Sequence, residues 1–132
     1  MIVIDTNVAS ELMRPSPAVA VRDWVRSQDG RDLCTTAITV AEILYGIERL
    51  PSGRHKQALK AAVAEVFGMF VEQILPFDAA AAEQYAQMVS YCDGLGLPVD
   101  GFDAQIAAIC RGRGAALATR NLEDQSLAGP RG

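Results

Sequence analysis

Apolar and polar positions follow two rhythms along this chain, and the change from one to the other marks its elements. Ile2-Val3-Ile4 is a short unbroken run of β-branched residues, the pattern of a strand buried on both faces. Thr6 to Met13 then reads as a helix stopped by Arg14-Pro15. Ala18 to Ser27 reads as another, with Val21, Trp24 and Val25 at helical spacing. Leu33–Thr36 is a second short strand. Ile38 to Leu50 is a helix carrying Val40, Ile43, Leu44 and Ile47 on one face and closed by Pro51-Ser52-Gly53. Arg54 to Val71 continues as a helix, apolar at Leu59, Val63, Val66, Phe67 and Phe70, and Gln73–Leu75 is a third strand before Pro76. Ala79 to Cys92 and Phe102 to Arg111 are helical, and Gly112 and Gly114 release the chain into strand Ala115–Thr119. Trp24, Phe67, Phe70 and Phe102 stand at core spacing.

Short apolar strands separated by helices predict an α/β fold: a single domain with a central, mainly parallel sheet and helices on both faces. The domain is expected over residues 1–124, with 125–132 a loose tail rich in Gly and Pro. Functional sites in such sheets lie at the carboxyl ends of the strands. Asp5 follows the first strand, Glu42 begins the helix after the second, Asp103 begins the last helix, and Asp124 follows the last strand. These acids sit where a site belongs.

Composition narrows the chemistry. The 132 residues are half apolar, enough for a real core, and carry a net charge of −4, so bulk positive charge is not how this domain would hold a nucleic acid. A phosphate-bearing substrate would need metal ions and local basic patches. Cys34, Cys92 and Cys110 are odd in number and set in apolar patterns, which speaks for free thiols in a reducing cytoplasm. No apolar stretch approaches the roughly 20 residues of a membrane helix, and the first residues read as a strand rather than a signal peptide.

Converging carboxylates repel one another and lose solvation, and a divalent cation relieves both penalties. Mg²⁺, with Mn²⁺ as a substitute, prefers oxygen ligands and can activate phosphodiester hydrolysis. Each acid also has a plain structural explanation. Thr39-Val40-Ala41-Glu42 reads as a capping box, and Asp103, three residues after the capping candidate Asp100, suits a helix dipole. Asp124 reads equally as an ordinary loop acid. Asp5, ending a buried strand, needs a partner. All of them falling beside strand ends favours a site.

Four ordered segments carry a resemblance. Ile4-Asp5-Thr6-Asn7, Thr39-Val40-Ala41-Glu42-Ile43-Leu44-Tyr45-Gly46, Phe102-Asp103-Ala104-Gln105-Ile106-Ala107 and Ala118-Thr119-Arg120-Asn121-Leu122-Glu123-Asp124 resemble the motifs of PIN-domain proteins, closest in detail to VapC- and FitB-type toxins. The resemblance implies a Mg²⁺-dependent ribonuclease acting as the toxin of a type II toxin–antitoxin pair. In it Asp5, Glu42 and Asp103 ligate metal directly or through water, and Asp124 supports them from the last loop. Thr6 and Thr119 supply hydroxyls, and Asn121 orients that loop or a carboxylate. The implied partners are RNA, a cognate antitoxin, operator DNA through the antitoxin complex, and a second copy in a homodimer. Where PIN-domain toxins place an aromatic residue and a further strand, this chain has Gln125 and the tail. Arg49, Arg54, Lys56 and Lys60 with His55 around one junction, and Arg111, Arg113 and Arg120 near the other end of the site, are candidate RNA contacts or solvated surface. Two rival readings remain at this stage. One is a catalytically silent PIN-fold interaction module. The other is an aspartyl-phosphate phosphotransfer domain, disfavoured because no lysine or second acid accompanies Asp5.

Overall fold

The computed structural model describes residues 1–70 and 73–118, so the sites assigned to Thr119, Arg120, Asn121 and Asp124, and the tail, lie outside the described residues. In chain order the elements are β1 (Ile2–Ile4), α1 (Thr6–Leu12), α2 (Val19–Ser27), β2 (Leu33–Thr36), α3 (Ala37–Glu48), α4 (Arg54–Gly68), β3 (Ile74–Leu75), α5 (Ala79–Gly94), α6 (Gly101–Arg113) and β4 (Ala116–Ala118). The strands form one sheet in the order β3-β2-β1-β4, and every pairing is parallel. Ile2 lies opposite both Leu33 and Ala116, which puts β1 at the centre.

Strand alternation divides the core in two. Ile4, Leu33 and Ala118 face a cluster built with Val8 of α1 and its C-cap Met13, Ile43 and Ile47 of α3, and Val63, Val66 and Phe67 of α4, with Trp24 of α2 at its margin. Val3, Cys34 and Leu117 face the opposite way, onto Ala81 of α5 and Ile106, Ile109 and Cys110 of α6. Helices therefore cover both faces, as parallel strands with short crossovers require. Ile4 and Ile109 are fully buried, one in each cluster. Burial pushes the Cys110 thiol up to about 12 and raises that of Cys34, so both thiols behave as core residues.

The chain steps outward from β1 to β2 to β3, then returns across the sheet to place β4 on the other side of β1. This reversal opens a crevice at the carboxyl ends of β1 and β4, the place where open α/β sheets bind ligands. The backbone closes there when Asp5 N donates to Ala118 O at 3.1 Å.

Three local expectations are corrected. Leu44 is 44% exposed, because it sits about 100° round the helix from Ile43 and leaves the stripe of Val40, Ile43 and Ile47. Phe102 is 52% exposed in the first turn of α6, outside the packed length of that helix. Helix α3 begins earlier than its apolar pattern suggests, and its N-cap is Thr36 rather than Thr39. Among the described residues no helix is long and apolar enough to cross a membrane.

Candidate active site at the carboxyl edge of the sheet

Asp5 ends β1 and caps α1. Its backbone is extended (φ −81°, ψ 178°), and Oδ1 accepts a 2.8 Å hydrogen bond from Val8 N. The lone acid at the end of a buried strand thus finds its partner in a helix N-terminus. Burial nonetheless raises its pKa above the usual carboxylate range. The Val8 and Asn7 amides oppose that rise, while the negative charges of Asp103 and Glu42 add to it. Three acids from three separate elements therefore share one electrostatic field.

Thr6 Oγ1 donates to Glu42 Oε1 at 2.7 Å, joining the first residue of α1 to α3. The capping explanation of Glu42 fails on geometry. Thr36 Oγ1 accepts the Thr39 amide at 3.0 Å and closes the helix, leaving Glu42 six residues beyond the cap. Asp103 is placed by its neighbour: Asp100 caps α6, and its Oδ1 accepts from Phe102 N at 3.0 Å and Asp103 N at 3.1 Å. Among the described residues the Asp103 side chain makes no hydrogen bond. Desolvation, and then the charge of Asp100, raise its pKa.

Oxygen donors alone make up this set, which is the chemistry a hard divalent cation selects. Among the described residues no three His, Cys, Asp or Glu side chains stand together as a ligating group. Asp5 Oδ1 is turned to its helix cap and Glu42 Oε1 to Thr6, so a three-carboxylate cage is not preformed there. The set still fits Mg²⁺, which is ordinarily held by one or two carboxylates and keeps several waters.

The basic residues divide by what they touch. Lys56 Nζ donates to Glu48 O and Leu50 O, each at 3.2 Å, and so closes the C-terminus of α3. Lys60 pairs with Glu48 at 3.6 Å, and Arg49 lies over the Tyr45 ring, 5.6 Å from its centroid. Arg54 is exposed and makes no ion pair among the described residues. Arg111 donates to Gln84 and Arg113 pairs with Asp78, both on or at the cap of α5. His55 lines an open groove of about 370 Å³ with Thr6, Glu42, Met13, Ile47 and Leu59.

Sequence reasoning missed two features. Glu11 is buried and accepts from Ala18 N at 2.9 Å, tying α1 to the start of α2. Its only signal was an acid near the end of a helix, followed by Leu12 and Met13. Thr36 and Thr39, both fully buried, pack their hydroxyls behind Thr6. A threonine run reads equally as strand, cap or turn, so nothing in the sequence separated these roles.

Comparison with known proteins places the whole chain. The profile of the PIN domain matches residues 2–128. Toxin FitB of Neisseria gonorrhoeae is 38% identical over 122 residues, covering 92% of this chain and 88% of its own. The VapC ribonuclease Y4jK of Sinorhizobium fredii is 35% identical over 130 residues, 98% of this chain and 93% of its own. The crystal structure of FitAcB from Neisseria gonorrhoeae has a TM-score of 0.85 at 36% identity, covering 97% of this chain and 93% of that one. A FitAB complex bound to an IR36 DNA fragment matches with the same TM-score of 0.85, covering 97% of this chain and 90% of that one.

Proposed function

This chain belongs to the PIN-domain family, and from that premise we propose that it is a metal-dependent endoribonuclease acting as the toxin of a toxin–antitoxin pair. The observation that carries the reading is Asp5, which follows β1 at the crevice where strand order reverses, beside Thr6, whose hydroxyl holds Glu42 of α3 at 2.7 Å. Asp103 of α6 adds its negative charge to the same neighbourhood, helping to raise the Asp5 pKa. The relatives named as a toxin and as a ribonuclease support the same chemistry.

When bound, Mg²⁺ or Mn²⁺ would supply positive charge that offsets the acids and polarises a phosphodiester oxygen. Asp5, Glu42 and Asp103 would hold it, directly or through water. Val8 N keeps Asp5 in one orientation, and Thr6 does the same for Glu42. A water would attack phosphorus and give its proton to a carboxylate, the P–O bond to the departing oxygen would break, and that oxygen would take up a proton to leave as an alcohol. Carboxylates of the site would carry that proton, and the raised pKa values of Asp5 and Asp103 reflect burial and neighbouring negative charge in the metal-free protein. Asp124, Thr119 and Asn121 would join from the segment after β4. Arg54, with Arg49 and Arg120, would meet the RNA backbone, whereas the structural task of Lys56 leaves it little capacity for RNA.

The same reading extends to partners. A cognate antitoxin would lay an amphipathic helix along the groove between α1, α3 and α4 and reach the acids with an arginine, which replaces the cation's charge. Operator DNA would be bound through that complex, in line with the DNA-bound FitAB assembly. The exposed Tyr91, Leu95, Leu97 and Phe102 would lie under a second copy in a homodimer, and the protein would act in the cytoplasm. The deciding experiment is cleavage of total RNA with Mg²⁺ and with EDTA, with fragment ends mapped. Cleavage at defined positions that EDTA stops is expected. Intact RNA at every Mg²⁺ concentration would overturn the proposal and leave a silent interaction module.

A further inference from the structure

We infer that Thr39 is a positioning residue for Glu42, acting through Thr6. This rests on the reading of Glu42 as a site acid. The helix cap does not need the Thr39 hydroxyl, since Thr36 Oγ1 caps α3 by accepting the Thr39 amide at 3.0 Å. Any residue at 39 supplies that N–H. Yet Thr39 is fully buried, and a buried hydroxyl is costly without a hydrogen-bond partner. Its oxygen stands 3.2 Å from Thr36 Oγ1 and 3.5 Å from Thr6 Oγ1, and Thr6 Oγ1 stands 2.7 Å from Glu42 Oε1.

Proton counting gives this chain a direction. An ionised carboxylate only accepts, so Thr6 spends its one proton on Glu42. At its 3.5 Å contact with Thr39, Thr6 then has no second proton to give and offers only its lone pairs, so Thr39 steadies it from behind. Thr39 in turn accepts from Thr36, whose own oxygen takes the Thr39 amide. Thr36, Thr39 and Thr6 thus form a line of hydroxyls that ends on Glu42, and a buried line of this kind polarises its members. The 3.5 Å step is the longest, so its loss loosens Thr6 without removing the Thr6–Glu42 bond.

Thr39→Val keeps the shape and the capping N–H and deletes the hydroxyl. Thr39→Ser keeps the hydroxyl. In the metal-free protein, NMR three-bond couplings report the Thr6 χ1 angle. A single rotamer is expected in wild type and in Thr39→Ser, and rotamer averaging in Thr39→Val. In cleavage assays Thr39→Val should raise the half-saturating Mg²⁺ concentration, at most about 10-fold, with Thr39→Ser close to wild type. If Thr39→Val does not fold, Thr39→Cys, similar in size with a weak donor, takes its place with the same expectations. A single Thr6 rotamer in the hydroxyl-free variant overturns the inference. So does a Mg²⁺ dependence that Thr39→Ser shifts as far as Thr39→Val. If wild type cleaves no RNA, the functional proposal fails by itself, and the coupling measurement still decides the role of Thr39.

Discussion

Glu42 and Asp103 approach Asp5 from helices on opposite faces of the sheet, and they are held in different ways. Glu42 is bonded to Thr6, and Thr6 is backed by two buried hydroxyls, so this side of the site is set when the protein folds. Asp103 has its backbone fixed by Asp100 but no hydrogen bond on its side chain among the described residues. One side is held by a side-chain hydrogen bond, and on the other the described residues hold only the backbone. Such a pairing suits a site whose cation arrives and leaves. The fixed acid lowers the ordering cost of binding, and the free acid takes the geometry the ligand's other partners dictate.

The largest test removes the acid between the two sides. Asp5→Ala should lower RNA cleavage on the order of 100-fold or more and destabilise the fold by about 1 kcal/mol through the lost cap. Asp5→Asn should lose cleavage as fully but keep the cap, because Asn and Asp cap equally well. Its metal-free form should melt higher than wild type at neutral pH. The sign follows from the raised pKa of Asp5: the folded state binds the proton more tightly than the unfolded state, so the ionised form opposes folding above the folded pKa. That penalty is absent below the unfolded value, so the gain in melting temperature should vanish as pH falls through the carboxylate range. Calorimetry in EDTA across that range checks both the gain and its disappearance. An unchanged melting temperature at neutral pH would mean that Asp5 is not strained by its neighbours.

A second test separates Glu42 from Asp103. Both Ala variants should lose cleavage, but their metal-free stabilities should differ. Glu42→Ala leaves the Thr6 hydroxyl without its acceptor and should cost about 1 kcal/mol. Asp103→Ala breaks no hydrogen bond among the described residues and relieves a repulsion on Asp5, so its melting temperature should hold or rise. Equal losses would erase the contrast between a fixed and a free side.

Smaller effects belong to the surroundings. Asp124→Ala should reduce cleavage only in part and be partly rescued by more Mg²⁺, as expected of a charge that tunes metal affinity from outside. Cleavage rate against Mg²⁺ concentration tests it, and a variant dead at every concentration would move Asp124 among the primary acids. The smallest contrast lies among the basic residues. Arg54→Ala should weaken RNA binding and flatten its salt dependence. Lys56→Ala should instead lower stability by roughly 0.5–1 kcal/mol through its α3 carbonyl partners, with the salt slope unchanged.

Much of this was legible in the chain. The run Ile2–Ile4 and the segment Leu33–Thr36 are strands over the residues their patterns mark, since short β-branched or apolar runs between helices have few alternatives. The acids were legible as candidates because they stand next to those strands. Their individual explanations came out reversed. Glu42 looked like part of a capping box and is not, while Asp5 looked as though it lacked a structural partner and is a cap. A threonine at 36 and another at 39 are equally good caps on paper. Only the extended backbone of Thr36 (φ −123°, ψ 157°) chooses between them, and the packing of β2 sets that backbone. Phe102 was misread for a related reason: helical spacing identifies a stripe, but the first turn of α6 lies beyond what that stripe covers.

Local patterns in the sequence determined the strands, the helices and their buried faces, because hydrophobic periodicity is a property of neighbouring residues. They also placed Asp5 at a strand end and Asp103 at a helix start, whereas Glu42, expected to begin its helix, stands in the second turn of α3. Tertiary structure alone decided that β4 crosses back beside β1, bringing α6 and Asp103 to the same crevice as Asp5 and Glu42. Alternation tells which face of a strand is buried but not which strand lies beside it. Pairing between segments more than a hundred residues apart is settled only when both faces of the sheet are covered at once. The hydroxyl chain behind Glu42 arises in the same way. Its members at positions 6, 36 and 39 become neighbours only after β1 and β2 align and set α1 against α3.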